Sequence, residues 1–396
     1  LRGRVDGLEA RVGELEATQF STTTKLKGVT TFVVGANQFR GSAKALRQRS
    51  NGSFGATTFN NDLQLNLETS FTGQDQLTTV LRAGNFNADN NVFGGAGPTE
   101  LSTLETAFEE GDKPNQLTLD KLFYSFPIGS QLTVTAGPRV GQEDMLAIWP
   151  SFYPSDAILD VLTLNGAPAA YNKNLGAGAG IRWDAPTGFR LAANYVAANG
   201  SRSTTIEGGL ATKHAGSTGT VQIGYSREEW TLAAIYTAIK NGDDLIPYAS
   251  PFTQASLSTK GMTHAFGLGG SWQVLDECWI PSISAGWGIN VSDASHNSEV
   301  RTTQSWTAGL EWDNIFMEDT SAGIAVGQPV FATDLKGDDT PNDGQFIWEA
   351  WLQVNVTDAI TVTPALFYLS RPLGQDTPRG ETFQQLGGLA KVTFNF

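Results

Sequence analysis

The sequence predicts an all-β protein, a transmembrane antiparallel β-barrel of about sixteen strands. Three observations carry this reading. Apolar and polar residues alternate with a period of two along most of the chain. The connections between these segments alternate short and long, which puts tight turns at one end of a meander and long loops at the other. One face of the strands is wide and aromatic, while the other carries charges that require water.

Composition sets the outer limits. The 396 residues include 26 Lys plus Arg and 40 Asp plus Glu, for a net charge of −14. Charged residues make up 17%, below the roughly 25% of soluble domains. An acidic chain poor in Lys and Arg excludes nucleic acid as a partner. The single cysteine, Cys278, excludes an internal disulfide and a cysteine-based metal centre. No apolar run reaches the length of a transmembrane helix. Aromatic and β-branched residues throughout exclude a disordered chain. The absence of an initiating Met and of a signal peptide implies that upstream sequence has been removed.

Two domains follow. Residues 1–20 form the first. Leu1, Val5, Leu8, Val12 and Leu15 repeat in an a/d heptad pattern, which predicts a short coiled-coil helix. Two heptads do not hold a helix alone, so the coil requires partner chains or a longer helix upstream. An amphipathic helix packed on the body is the other reading. The barrel domain covers residues 25–396.

The strands are expected near 25–39, 55–71, 75–86, 119–128, 131–141, 177–186, 188–197 and 214–228. They continue at 230–239, 263–274, 280–293, 303–314, 320–332, 346–358, 359–372 and 381–396. In the second, Leu63, Leu65 and Leu67 alternate with Asp62, Gln64, Asn66 and Glu68. In the twelfth, Trp306, Ala308, Leu310 and Trp312 alternate with Ser305, Thr307 and Glu311. The last strand alternates to the terminus, with Val392, Phe394 and Phe396 on one side and Lys391, Thr393 and Asn395 on the other. Fourteen strands result if 119–128 and 131–141 pair differently.

A sheet spanning lipid cannot leave open edges, so the strands close on themselves. The charges Asp62, Glu68, Arg182, Asp184, Arg190, Glu349 and Lys391 then face a wet lumen. Trp183, Phe189, Tyr195, Trp306, Trp312, Trp348 and Phe394 face lipid, and aromatics near strand ends form interfacial girdles. A two-sheet sandwich with one wet face is the soluble alternative. It requires turns of more equal length.

Several segments together resemble a known family. They are the heptad Leu1–Leu15, the opening strand Lys25–Phe32, the strand Asp120–Phe126 and the terminal Val392-Thr-Phe-Asn-Phe396. Over essentially its whole length the chain resembles the channel domain of cyanobacterial outer-membrane porins, in the broad OprB-like carbohydrate-porin group. The resemblance implies a homotrimer in the cell outer membrane, with passive diffusion of small nutrients or inorganic ions. It implies contact with outer-membrane lipid and lipopolysaccharide, and no cofactor. Members of this group carry an N-terminal surface-layer-homology domain that binds peptidoglycan-linked polymer. That domain is absent from this sequence.

A barrel of this size encloses water, so width and charge at its narrowest point set selectivity. The segment Gln142–Gly176 is expected to fold inward as the constriction. It carries Trp149, Phe152, Tyr153, Ile158, Leu159, Val161 and Leu162, and so many apolar residues are costly in water. Packing over a neighbouring subunit is the alternative. Arg139, Arg182 and Arg190, with Asp184, are pore-lining candidates on the strands. Glu143, Asp144, Asp156 and Asp160 are candidates on the loop. The two sets would oppose each other across the lumen and create a transverse field. In the other reading the arginines pair with Asp184 or Glu207 and hold the wall.

Other chemistry is weakly supported. His214, His264 and His296 are scattered, and no metal site is expected. The acidic run Asp334, Asp338, Asp339 and Asp343 reads as a solvated loop. No Ser/His/Asp set or carboxylate pair suggests catalysis. The main competing function is an envelope-anchoring barrel that conducts little or nothing.

Overall fold

A computed structural model describes residues 23–111, 113–154, 157–242, 245–257, 261–273, 279–315, 317, 319–337 and 340–396. The expected coiled coil at 1–20, Asp156 and Cys278 lie outside these residues. Sixteen strands close into one antiparallel barrel in sequence order, and the last pairs with the first.

The first eight strands are β1 (Thr24–Arg40), β2 (Thr58–Thr69), β3 (Gln76–Gly84), β4 (Thr118–Ile128), β5 (Leu132–Gly141), β6 (Leu175–Asp184), β7 (Phe189–Ala197) and β8 (Ser217–Ser226). The remainder are β9 (Trp230–Lys240), β10 (Met262–Trp272), β11 (Ser282–Ser292), β12 (Val300–Asp313), β13 (Thr320–Leu335), β14 (Phe346–Thr357), β15 (Ile360–Ser370) and β16 (Gln384–Asn395). Each expected strand is present. β4 and β5 pair with each other through the tight turn at 129–131, so the count is sixteen and not fourteen.

Closure places β1 against β16, with Val33 opposite Lys391 and Phe32 opposite Val392. The even strand number brings both ends of the barrel to the short-turn side. There Gly28 and Phe396 exchange two backbone hydrogen bonds. A Cβ on Gly28 would lie 2.2 Å from the Phe396 ring, so glycine makes room for the final aromatic at the seam.

The pleat sorts residues as the alternation predicts. Phe59, Val221, Leu232, Leu268 and Leu366 are exposed on the outside. Asp62, Gln222, Glu349 and Lys391 point inward and are buried there. An exposed apolar belt around a closed sheet is the surface that lipid requires.

Loop lengths depart from the expected pattern at one place. β12 begins at Val300, so its connection from β11 is only 293–299, shorter than the 273–281 connection at the opposite end. The remaining long connections lie on one side, and several turn into the barrel.

Candidate functional site: the constricted lumen

The connection 142–174 crosses the lumen from β8 to β16. Side chains of the inner wall hold it at successive points. Gln142 Nε2 donates to the Ala170 carbonyl (2.8 Å) and to the hydroxyls of Thr220 (2.8 Å) and Thr237 (3.2 Å). Gln222 Oε1 accepts from the amides of Ala147 (3.0 Å) and Ile148 (3.1 Å). Ser284 Oγ accepts from the amides of Phe152 (2.8 Å) and Tyr153 (3.0 Å). Glu349 accepts from the Tyr153 hydroxyl (2.5 Å) and the Leu159 amide (2.9 Å). Lys391 Nζ donates to the Ala157 carbonyl (2.8 Å). A loop inside a barrel cannot give its backbone groups to bulk water, so the wall supplies partners.

Apolar packing fills the spaces between these points. Ile158, Leu159, Val161, Leu162 and Leu164 are buried in one cluster with Trp351, Phe367 and Leu389 of the wall. Ala167, Ala169, Ala170 and Tyr171 pack against Ile235, Ile239 and Ala265. Small wall residues allow the close approach. A Cβ on Gly286 would fall 1.7 Å from the Asn165 carbonyl oxygen. The apolar residues that suggested an inward fold therefore touch this chain's own wall.

A second inward loop was not anticipated. In 85–117, Val92, Phe93, Leu101 and Leu104 are buried against Val33, Phe39 and Phe367. Leu104 forms a β-bridge with Leu159, which joins the two loops. A third segment contributes Tyr248, whose hydroxyl donates to Asp160 Oδ2 (2.6 Å). Asp343, expected in a solvated run, is buried. It accepts from the Ser250 and Thr253 hydroxyls and from the amides of Ala332 and Gln375.

Among the described residues these loops leave a wet space, a cavity of about 660 Å³ between β2–β5 and the loops. Its walls carry Arg82, Glu105, Asp120, Lys121, Glu143, Asp144, Asp160 and Lys173, with Phe123, Trp149 and Tyr248 as aromatic patches. Each cation is held by carboxylates. Lys121 Nζ meets Glu143 (2.6 Å) and Asp144 (2.9 Å). Lys173 Nζ meets Asp160 (2.8 Å) and Glu105 (3.6 Å). Arg82 forks onto Asp62 through Nε (2.8 Å) and Nη2 (3.0 Å), stacks over Phe108, and feels the charge of Asp120.

The loop groups respond to this setting. Burial first, and then the charge of Glu143, raises the Asp144 carboxyl above the ordinary carboxylate range. Burial pulls the Lys173 ammonium down, but the charges of Asp160 and Glu105 outweigh it and hold its pKa above the ordinary lysine value. Burial, followed by the Asp160 charge, raises the Tyr248 phenol.

The candidates therefore divide. Glu143, Asp144 and Asp160 line the cavity, as does Trp149, which packs edge-on against Tyr171. Tyr153 is buried behind the loop, and Phe152 lies beside it at β11. Arg182 and Arg190 both pair with Asp184 (2.8 and 3.7 Å) at the turn end of β6 and β7, and Arg190 Nη1 also donates to the loop carbonyl of Ala147 (3.4 Å), so neither makes an ion pair with the loop acids. Arg139 Nε donates to the Asp120 carbonyl (2.6 Å), and its Nη2 lies 3.6 Å from Glu110. The cations that meet the loop acids are Lys121 and Lys173, which the alternation did not single out.

A bulge explains Lys121. Val80 pairs with Lys121 but Leu81 pairs with Leu119, so Asp120 is the extra residue. Asp120 and Lys121 both reach the lumen, which strict alternation forbids. Arg139 bonds the carbonyl of this bulged residue. A charged pair at the start of a predicted strand was the only available signal. Among the described residues no group of three or more His, Cys, Asp or Glu is placed to hold a metal ion.

Comparison with known proteins is informative at this point. The model of the carbohydrate-selective porin, OprB family, matches residues 1–396. The chain belongs to the OprB porin family. Two uncharacterized cyanobacterial proteins are similar to it. One, from Nostoc sp., is 26% identical over 427 residues, covering 100% of this chain and 69% of the relative. The other, from Synechocystis sp., is 26% identical over 409 residues, covering 93% and 69%. Among solved structures, the high-pH form of Pseudomonas putida OprB superposes with a TM-score of 0.64 at 14% identity, covering 97% of each chain. The trimer form of Vibrio cholerae OmpT gives 0.54 at 7% identity, covering 94% of this chain and 100% of that one. The OprB porin described here is thus a pore-forming, transport-related barrel of the outer membrane, and not an enzyme.

Proposed function

We propose that this OprB porin lets small hydrophilic solutes and inorganic ions diffuse passively through a water-filled, loop-constricted pore. Transport follows the solute gradient and requires no cofactor. The observation that carries the reading is the charged cavity of about 660 Å³ between β2–β5 and the inward loops. Such a density of ionised side chains requires water, whereas the loop 142–174 closes the side facing β8–β16 with apolar packing and bonded backbone. Carbohydrate is one cargo class, because Phe123 and Trp149 offer flat apolar surfaces beside hydrogen-bonding groups. Assembly as a homotrimer is part of the proposal, as is contact with outer-membrane lipid and lipopolysaccharide. Residues 1–20 are proposed as a periplasmic coiled coil. It would lead toward a wall-binding domain for peptidoglycan-linked polymer.

Planar bilayers test the reading. Purified, folded oligomer should insert in uniform current steps, and proteoliposomes should swell in small sugars faster than in large ones. Folded, inserted oligomer that passes neither ions nor sugars would favour the envelope-anchoring barrel instead.

A further inference from the structure

Among the described residues, both lysines that line the throat are each held between two carboxylates. Lys121 sits between Glu143 and Asp144 and Lys173 between Asp160 and Glu105, while the third cation, Arg82, forks onto Asp62. Two lysines against four carboxylates leave a formal charge of −2 over the two clusters. The arrangement has a chemical consequence. A lysine already clasped by two carboxylates presents little net positive charge to a passing ion, whereas each cluster carries one formal negative charge in excess. Arg182 and Arg190, at the turn end, share Asp184 and carry the opposite balance.

We propose that these two lysine-in-carboxylate clusters are the specificity-determining residues of the throat and make it prefer small cations to anions. This inference rests on the open-pore reading above. A permeating cation replaces part of its hydration by carboxylate oxygens of the clusters, while an anion meets lysines that are already clasped. The clusters also bridge the wall to the loops. Lys121 ties β4 to the start of 142–174, and Lys173 ties the end of that loop to Glu105 of the second loop. The lysines therefore keep the acids in place without cancelling them.

The test is the reversal potential of the full-length oligomer in a planar bilayer under a potassium chloride gradient. The expected potassium-to-chloride permeability ratio is above one. Coulomb interaction across a wet throat predicts that Glu143→Gln with Asp144→Asn lowers the ratio by about threefold to fivefold. Lys121→Met should shift it the other way, toward cations. Arg182→Gln should change it less than either. Glu105→Gln, at the second cluster, should also lower the ratio and provides an independent variant if the first does not fold. Heat-modifiable mobility on gels checks folding in each case. A ratio at or below one, or a ratio that the cluster variants leave unchanged while conductance persists, overturns the inference alone. Absence of any conductance in folded protein overturns the open-pore reading, and this inference with it.

Discussion

The side-chain amide of Gln222 pairs with the backbone of Ile148 in both directions, accepting from its N–H at 3.1 Å and donating to its carbonyl at 2.8 Å. A strand residue thus binds the constriction loop as a neighbouring strand would. Gln222 is fully buried, so this pairing replaces water that the site excludes. Gln222→Leu should leave the Ala147 and Ile148 backbone groups unpaired, at about 1–3 kcal/mol for each lost partner. The barrel should persist while the loop loosens. Limited proteolysis should newly cut near 146–154, and single-channel current should become noisier.

Close approach of loop and wall is tested at a glycine. Gly286→Ala would push a methyl group onto the Asn165 carbonyl, where backbone meets backbone and neither yields easily. Gly219→Ala, on the lipid side, has open space around it. The first substitution should lower the unfolding temperature and alter conductance. The second should change neither measurably.

Glu349 and Lys391 hold one stretch of loop from two strands, through Tyr153 and Leu159 on one side and Ala157 on the other. Residues that share a bound segment do not act additively. Glu349→Leu and Lys391→Met should each destabilise the loop. Their double-mutant cycle should show a coupling of roughly 0.5–3 kcal/mol, read from denaturant unfolding in detergent.

The tight turn between β2 and β3 provides a pH prediction. The Asp75 carboxylate accepts from the hydroxyls of Thr72, Tyr124 and Ser70 and from the amides of Phe71 and Thr72. The bond from Thr72, followed by that from Tyr124, holds its pKa well below the ordinary value of 3.8. The folded state therefore binds this proton more weakly than the unfolded state. The stabilisation is fully present above the ordinary value and is lost as pH falls below it toward the folded-state pKa. Asp75→Asn should destabilise the barrel at neutral pH and flatten the acid limb of its stability curve. Unfolding midpoints between pH 7 and pH 2 would measure both effects.

The sequence disclosed the strands because period-two alternation follows directly from the pleat, and lipid on one side with water on the other sharpens it. The inward fold of 142–174 was legible for the same reason: Ile158, Leu159, Val161 and Leu162 have no stable place in water. Equivalent residues in 85–117, such as Phe93 and Leu101, carried the same signal, and their inward packing was not anticipated. The electrostatic clusters were less accessible. Alternation assigns a residue to a face but not to a height along the barrel, so Arg182 and Arg190 could not be separated from the throat. The bulge at Asp120 reverses the phase locally, which conceals Lys121. The pairing of Lys173 with Glu105 depends on two loops meeting, and neither loop encodes this alone.

In the proposed pore the permeation path runs between β2–β5 and the inward loops, while the side facing β11 and β12 is sealed. Cysteine substitution with a bulky, membrane-impermeant thiol reagent tests it most directly, in a Cys278→Ser background during single-channel recording. Reagent should step the current down in Asn66→Cys, whose side chain lines the cavity, and leave it unchanged in Thr307→Cys, which is buried beneath the loop. Block at position 307 with none at position 66 would contradict the account.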